Sequence, residues 1–326
     1  MRKITFVALT FVSAILFYFT FASAEKVFRS SWQLPKEIKD EQSQYRIVLV
    51  TQELETPFWD KVGKGARDQA KKDGVSLEVW GSYGKNQEDF LKKIEIAIDS
   101  KVDGIIVQGL DTDEFKNLTK IKAASHGIPI ITVANDVPMG ESLRKTYVGS
   151  DQYLAGKMIA RQLISDMGPS GIVILMYDSQ QEYYQKNRLK GIQAILKDYP
   201  KVTLKYAPTD NTRDKIIATT KDVMNQMPNV NAFVAINANI TEAMVQEISR
   251  RSPIKPFYIY SFDDSPESKS QLKQGTLDGM IEQSPATMGS SSVNLMVKWL
   301  NNEIVPLNKN GYFTDIRMVK AMNDHD

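Results

Sequence analysis

The sequence predicts an α/β protein built from two Rossmann-like lobes, each with a parallel sheet. From residue 47 onward, short apolar runs alternate with amphipathic stretches, and after residue 167 the same rhythm begins again. The runs are rich in β-branched residues and are apolar on both faces, which is typical of strands buried in a parallel sheet. Strands alternating with helices of this length indicate right-handed βαβ units, and two such series predict two similar lobes.

The individual strands follow from the positions of the apolar runs. Strands of the first series are predicted at residues 47–50, 75–80, 104–107, 128–133 and 147–150, and a helix over 152–167 follows them. Strands of the second series are predicted at residues 172–176, 202–206, 232–236 and 257–261, with helices near 184–199, 215–227 and 240–251.

The run at residues 47–50 stops abruptly at polar residues, and Pro57 then opens a helix at a position where its missing N–H costs nothing. Open α/β sheets bind ligands at the carboxyl ends of their strands. Facing lobes would therefore form a cleft from the loops at residues 52–59, 108–113, 134–138, 179–188, 237–239 and 262–266. That cleft is the expected binding site.

Composition narrows the class of protein. A length of 326 residues suits two domains of roughly 120 to 150 residues each. The net charge of +2 arises from 41 basic and 39 acidic residues with no basic block, so nucleic acid is not an expected partner. Because the chain has no cysteine and only two histidines, we expect no zinc cluster, no His-containing triad and no cofactor.

The N-terminus has the features of an export segment. Arg2 and Lys3 precede a mostly apolar run over residues 4–21, and Ala22-Ser23-Ala24 forms an A-x-A cleavage pattern. The run approaches the roughly 20 residues that span a bilayer, so residues 1–24 are either a cleaved signal peptide or a retained membrane anchor. Residues 25–45 are predicted to be a linker. The protein is expected outside the cytoplasm, either periplasmic or tethered to the outer face of the cytoplasmic membrane.

The cleft loops combine planar hydrogen-bonding side chains with two adjacent aromatic residues. A sugar has hydroxyls that donate and accept in pairs and an apolar face of C–H groups, so carboxylates, amides and guanidinium groups between aromatic rings suit it. The residues with these properties are Gln52, Phe58, Trp59, Gln108, Asn135, Asp136, Arg188, Asn237, Asp263 and Gln283.

Several stretches together resemble the ribose- and galactose-type periplasmic sugar-binding proteins, which have the type I periplasmic binding protein fold. They are the Pro-Phe-Trp at 57–59, DGIIVQ at 103–108, GIPIITV at 127–133, VGSD at 148–151, NRLKG at 187–191, FDDSP at 262–266 and IEQSP at 281–285. The resemblance covers residues 47 to about 319 and does not single out one sugar.

The resemblance implies a role for each matching residue. Phe58 and Trp59 would stack on the sugar ring, and Phe262 would form a further wall. The residues expected to bond the hydroxyls are Arg188, Asn237, Asp263 and Gln283.

Two positions depart from the ribose-type pattern. Ala134 stands where an aspartate is usual, and Asp136 is expected to take over that contact with a hydroxyl. Asn237 is followed by Ala238 instead of an aspartate. The first departure puts ribose itself in doubt as the ligand.

The resemblance also implies a hinge of three chain crossings, near residues 149–150, 283–285 and 311–312. The N-terminal lobe would then consist of residues 46–149 and 285–311. The C-terminal lobe would consist of residues 150–284 and 312–326.

The expected function is that of an extracytoplasmic receptor, not an enzyme. It would close by a hinge motion around a pentose or hexose, such as xylose or ribose, and present the closed form to a membrane partner, an ABC sugar importer or a sensor histidine kinase. The effector-binding core of a LacI-type repressor shares this fold, but it would need a helix-turn-helix where this chain has its export segment. A glycoside hydrolase using Glu53, Glu55, Asp136 and Asp263 is the remaining alternative, and it predicts turnover where a receptor gives stoichiometric binding.

Overall fold

The computed structural model describes residues 13, 15–21, 44–84, 86–180, 182–252, 257–262 and 265–321. By its internal contacts the chain divides into one unit over Met1–Gln42 and another over Ser43–Asp326. The predicted export segment and linker lie largely outside the described residues, although residues 15–21 are helical. Across the described ranges, no helix is long and apolar enough to span a membrane.

The first half of the larger unit alternates strands and helices. In chain order its elements are β1 (Arg46–Thr51), α1 (Pro57–Asp73), β2 (Ser76–Gly81), α2 (Gln87–Asp99), β3 (Gly104–Gln108), α3 (Asp113–Asn117), a π-helical segment (Leu118–Ala123), β4 (Ile130–Val133), α4 (Met139–Ser142) and β5 (Thr146–Gly149). Strand β1 is apolar on both faces because it lies inside the sheet, and the four residues after Arg46 are each at most 1% exposed.

The second half repeats the alternation and then returns to the first. Its elements are α5 (Gln152–Met167), β6 (Ser170–Asp178), α6 (Tyr183–Leu196), β7 (Lys201–Thr209), α7 (Arg213–Gln226), β8 (Ala232–Ala235), α8 (Ala238–Arg251), β9 (Tyr258–Phe262), α9 (Pro266–Lys273), β10 (Gly279–Glu282), α10 (Pro285–Leu300), β11 (Tyr312–Phe313) and β12 (Arg317–Lys320).

The strands form two separate sheets. The first has the order β11-β5-β4-β3-β1-β2, and the second has the order β12-β10-β9-β8-β6-β7. Neighbouring strands pair in parallel, except that β12 runs antiparallel to β10 at the edge of the second sheet. Helices cover both sheets, so the predicted α/β class with two Rossmann-like lobes is confirmed.

The chain passes between the two sheets three times. The first passage follows β5, and the second follows β10. Tyr312 pairs with Val148 of the first sheet, so the third passage lies after Phe313 and before β12. This is slightly later than the position that the sequence analysis assigned to it, because β11 extends the first sheet by two residues.

Helix α10 belongs to the first lobe through its packing on α1. The two helices approach so closely that glycines occupy the crossing point. A Cβ atom at Gly289 would lie 1.9 Å from the carbonyl oxygen of Val62, and one at Gly65 would lie 2.0 Å from that of Ala286. This approach brings the first turn of α1, where Phe58 and Trp59 lie, into a fixed position beside the strand ends.

We expect Gly289→Ala to destabilise the protein. The added methyl group would overlap the Val62 carbonyl, and overpacking of this kind typically costs about 1–3 kcal/mol. Urea unfolding followed by circular dichroism measures the loss. Gly140→Ala is the control, because a Cβ atom there meets nothing within 4 Å, and its free energy of unfolding should be unchanged or raised. Equal stability of the two variants would contradict the close helix crossing.

Candidate functional site

A cavity of about 560 Å³ lies between the lobes at the carboxyl ends of their strands. Its walls from the first lobe are Glu53, Thr56, Pro57, Phe58, Trp59, Gln108, Ala134 and Asn135. Its walls from the second lobe and the hinge are Gln152, Tyr184, Arg188, Asn211, Arg213, Ile216, Asn237, Ala238, Asn239, Glu242, Ala243, Ser265, Glu267 and Gln283.

The structure brings together most of the side chains that the sequence analysis selected. Those that line the cavity are Phe58, Trp59, Gln108, Asn135, Arg188, Asn237 and Gln283. Gln52, Asp136 and Phe262 are not among its described walls. Asp263 lies outside the described residues. Contact of these side chains with a sugar stays a prediction.

Arg188 carries a buried positive charge at the floor of the cavity. The residue is 2% exposed, its Nε donates to Gln152 Oε1 at 2.7 Å and its Nη1 donates to the Ile236 carbonyl at 2.7 Å. The guanidinium also lies 4.9 Å from the ring centre of Tyr184 and 4.4 Å from that of Phe262. Buried charges of this kind persist only with hydrogen-bond partners and ring faces around them.

Two glycines allow Arg188 to reach this place. A Cβ atom at Gly156 of α5 would lie 2.1 Å from the Arg188 carbonyl oxygen, and one at Gly191 of α6 would lie 2.1 Å from that of Tyr153. Only glycine permits so close an approach of two helices. Helix α6 therefore lies against α5, and its Arg188 meets Gln152 at the start of that helix.

The aromatic pair has two different environments. Thr56 caps α1 by accepting a hydrogen bond from the Trp59 N–H, and the rings of Phe58 and Trp59 meet edge to face with centres 5.5 Å apart. Trp59 is 4% exposed and packs in the core of the first lobe, whereas Phe58 is only half-buried. Phe58 therefore offers the larger apolar surface to the cavity.

Gln52 and Phe262 lie behind the cavity wall and support residues that line it. The Gln52 backbone N–H donates to Gln108 Oε1 at 2.9 Å, and its carbonyl accepts from Ser82 Oγ at 2.6 Å. Phe262 is fully buried under the Arg188 guanidinium. Phe262, which was predicted to be a further wall, therefore lies beneath Arg188 and supports the floor of the cavity.

Residues of the two lobes also meet across the mouth of the cavity. Lys186 of α6 donates to Asp111, which follows β3, at 3.0 Å, and Asn135 Nδ2 donates to Glu182 Oε2 at 3.4 Å. Burial opposes ionisation of Asp111, but hydrogen bonds from Lys116 and Lys186 outweigh it and hold the pKa of this carboxyl below its ordinary value. These contacts hold the lobes together over the cavity.

The hinge is held by hydrogen bonds between its crossing segments. Ser150 Oγ donates to Gln283 Oε1 at 2.6 Å, and Ser284 Oγ donates to the Asp315 carbonyl at 2.9 Å. Gln283 therefore belongs both to the hinge and to the cavity wall.

Residues 47–304 match the family described as the periplasmic binding protein domain. The chain belongs to this family of periplasmic binding proteins. The D-allose-binding periplasmic protein of Escherichia coli K12 is 23% identical over 279 residues, which are 82% of this chain and 88% of that protein.

Solved structures share the type I periplasmic binding protein fold. GanP, a glucose-galactose binding protein from Geobacillus stearothermophilus, has 28% identity and a TM-score of 0.79, with 85% of this chain and 97% of that chain covered. A chain of the XylFII-LytSN complex has 24% identity and a TM-score of 0.74, with coverage of 85% and 98%. At 24% identity the second similarity establishes the fold alone.

Ala134, where ribose-type members of the family usually have aspartate, is the centre of a tight turn. Its φ is 63°, and the Asn135 N–H donates to the Val133 carbonyl at 2.7 Å. A left-handed conformation is uncommon for alanine, whereas aspartate tolerates it better. The backbone would therefore accommodate the usual residue, and alanine leaves this part of the wall without a carboxylate.

Asp136 does not replace that carboxylate in the cavity. Its Oδ2 accepts from Arg144 Nη2 at 2.7 Å, and its Oδ1 forms an ion pair with Arg144 Nε at 2.6 Å and accepts from Thr132 Oγ1 at 2.6 Å. The side chains of Asp136 and Arg144 are 10% and 5% exposed. Asp136 therefore uses these hydrogen bonds inside the first lobe, and its contact with a sugar hydroxyl stays a prediction.

Several cavity residues were not among the predicted ligands. Asn211 follows β7, and the same strand-end rule that selected the other loops would have selected it. Gln152 opens α5 directly after the first crossing, so its position beside the hinge was the available signal. Tyr184 lies four residues before Arg188, the spacing that places two side chains on one helix face.

We expect Asp136→Asn to lower stability more than it lowers affinity for any ligand. The change leaves the buried Arg144 guanidinium without its counter-charge, and breaking a buried ion pair typically costs about 3–5 kcal/mol. Chemical unfolding measures this loss. Asp89→Asn breaks the half-buried surface pair with Lys93 within one helix and should change the free energy of unfolding by at most about 1 kcal/mol. Similar small losses in both variants would show that the Asp136 pair is not structural.

Proposed function

We propose that this protein is an extracytoplasmic receptor that binds one monosaccharide, a pentose or a hexose, in the cavity between its lobes. The observation that carries the proposal is the convergence of a buried guanidinium, three buried carboxamides (Gln108, Gln152 and Asn237) and a half-buried aromatic ring on one cavity. The polar groups suit hydroxyl oxygens, and the ring suits the C–H face of a sugar.

The dimensions and the relatives agree with a small sugar. The cavity volume of about 560 Å³ lies within the range of small-molecule sites. Proteins similar to this chain are described as binding D-allose, or glucose and galactose. Because those sugars differ, the relatives support the class of ligand and leave the particular sugar to experiment.

A membrane partner completes the proposed function. The receptor would close by a hinge motion and present its closed form to an ABC sugar importer or a sensor histidine kinase. A protein of the same fold occurs in the XylFII-LytSN complex, which supports recognition of such receptors by a second protein. The contacts of Lys186 and Glu182 across the cavity mouth are suited to the closed form.

The glycoside hydrolase alternative has less support. Of the carboxylates that it requires, Asp136 is paired with Arg144, and Glu55 is not among the described walls of the cavity. Glu53 does line the cavity, and Asp263 lies outside the described residues. Release of product from a labelled glycoside would favour the hydrolase over the receptor.

Calorimetric titration with D-ribose, D-xylose, D-allose, D-glucose and D-galactose tests the proposal. We expect stoichiometric binding of at least one sugar, and Phe58→Ala should weaken it about tenfold because a ring contact is worth about 1.4 kcal/mol. Tyr83→Ala is the control, because this exposed ring is not a wall of the cavity. Asp263→Ala should weaken binding by roughly 30-fold or more, the loss typical of a buried charged hydrogen bond. Unchanged affinity in Phe58→Ala and Asp263→Ala would remove this cavity from consideration.

We expect Lys186→Met to weaken sugar binding about two- to fivefold. The substitution removes the ion pair with Asp111 across the cavity mouth, and an exposed pair of this kind is worth up to about 1 kcal/mol. Because the pKa of Asp111 is lowered, the contribution should be constant between about pH 5 and 8 and be lost only as the pH falls through that lowered pKa.

Lys93→Met is the matched control, since the pair of Lys93 with Asp89 lies within one lobe. In titrations at low and at high salt, the difference in sugar affinity between the wild type and Lys186→Met should be smaller at high salt. If Lys93→Met weakened binding as much as Lys186→Met, the ion pair across the mouth would have no special part in closure.

A further inference from the structure

Two of the three buried carboxamides that line the cavity, those of Gln108 and Asn237, have a fixed polarity. A side-chain amide can present either its oxygen, which accepts, or its nitrogen, which donates, and its partners decide which way it faces. A backbone N–H is a decisive partner because it can only donate. Both Gln108 and Asn237 have such a partner.

Gln108 is oriented by the end of β1. Its Oε1 accepts from the backbone N–H of Gln52 at 2.9 Å and from Thr51 Oγ1 at 2.9 Å. Thr51 Oγ1 itself accepts from the backbone N–H of Glu53 at 3.3 Å, so its own hydrogen is directed to Gln108. Thr51 is fully buried and Gln108 is 4% exposed. With its oxygen engaged in the lobe, Gln108 presents its Nε2 hydrogens to the cavity that it lines.

Asn237 is oriented in the same way from the opposite lobe. Its Oδ1 caps α8 by accepting from the Ile240 N–H at 3.1 Å, and its Nδ2 lies 3.5 Å from Asn211 Oδ1. The residue is 3% exposed and lines the cavity. The Nδ2 group is therefore the part of Asn237 that a ligand would meet.

We propose that Thr51 and the capped start of α8 are positioning elements that make the site select hydroxyl or ring oxygens and reject amino sugars at the points facing Gln108 and Asn237. This inference rests on the proposed sugar-binding function. An ammonium group has three donors and no acceptor, so it would meet N–H groups that offer it no lone pair. The nearby guanidinium of Arg188 adds like-charge repulsion.

Among the described residues, the carboxylates that line the cavity do not reverse this preference at Gln108 and Asn237. Glu242 and Glu267 are exposed, Glu242 is paired with Arg213 at 2.9 Å, and Glu53 is half-buried. Gln108 and Asn237 are each at most 4% exposed. Hydrogen-bond mismatches cost most where water cannot compensate for them, so the buried amides decide the selectivity.

Two substitutions reverse the polarity while keeping the oxygen that each lobe holds. Gln108→Glu retains an oxygen for Thr51 and Gln52 and places a second oxygen toward the cavity. Asn237→Asp retains the helix cap, for which aspartate is as good as asparagine. Gln274→Glu adds the same charge at an exposed position outside the cavity and is the control.

The experiment first identifies the sugar that binds among D-ribose, D-xylose, D-allose, D-glucose and D-galactose. Calorimetry then compares that sugar with derivatives in which one hydroxyl at a time is replaced by an amine. At one or two ring positions, the wild type should bind the aminated derivative about 30-fold or more weakly than the parent sugar. Gln108→Glu and Asn237→Asp should each narrow or invert this ratio of affinities at the sugar position that faces the substituted residue. Gln274→Glu should leave every ratio unchanged.

Thr51 is tested through the same ratios. Thr51→Val removes the hydroxyl at similar shape and should weaken binding of the parent sugar about two- to tenfold, with reduced discrimination against the amine. Thr51→Ser keeps the hydroxyl, so its affinity for the parent sugar and its discrimination against the amine should both match those of the wild type. A merely structural role would lower affinity for sugar and amino sugar alike, and circular dichroism with urea unfolding confirms that each variant is folded.

The outcomes separate the two proposals. If a sugar binds but every aminated derivative binds within tenfold of it, or if the acidic variants leave the ratios unchanged, the polarity inference is wrong and the receptor function stands. If none of the five sugars binds, the proposed function is overturned, and the polarity inference is overturned with it.

Discussion

The buried guanidinium of Arg188 is the constraint on which the geometry of the cavity depends. Removing a cation from water costs several kcal/mol unless partners replace the lost hydration. Here those partners come from different elements: the first residue of α5, the carbonyl of Ile236 at the end of β8, and rings from α6 and β9. One charge thereby fixes how four elements of the second lobe meet, and the close glycine contacts between α5 and α6 follow from the same requirement.

The partners of Arg188 also connect the cavity floor to the hinge. Gln152, which accepts from Arg188, hydrogen-bonds Tyr147, whose hydroxyl donates to the carbonyls of Ala134 and Ser150. Burial raises the pKa of Tyr147, so its hydroxyl remains a donor at every physiological pH. This chain of contacts runs from the second lobe through the first crossing to the turn after β4. A ligand that contacts Arg188 would therefore act on groups that are tied to the hinge by short hydrogen bonds.

The fold was predictable because buried parallel strands leave a strong signal in sequence, as the four apolar residues after Arg46 show. The site was predictable in part, since the strand-end rule locates Gln108 and Asn237. The signal is weaker at Asn211, because β7, the strand before it, is an edge strand whose residues are mostly exposed or half-buried and which has no long apolar run. Asp136 lies in a cleft loop, but its side chain forms an ion pair with Arg144, eight residues later in the sequence. That pairing depends on tertiary geometry, which spacing in the sequence does not encode.

The same geometry bears on how one fold can serve different sugars. In the first lobe the carboxylate usual in ribose binders is absent at Ala134, and the nearest acid, Asp136, is paired internally. If the cavity binds a sugar as proposed, recognition from this side would involve the Gln108 amide, whose direction is set by the backbone N–H of Gln52 after β1. A backbone donor cannot be removed by substituting a side chain, so this part of the site is resistant to change. Under the proposed function, specificity would then vary through the replaceable side chains around it, such as Ala134 and Phe58. The donor at Gln108 and the charge at Arg188 would be common to any sugar that the cavity accepts.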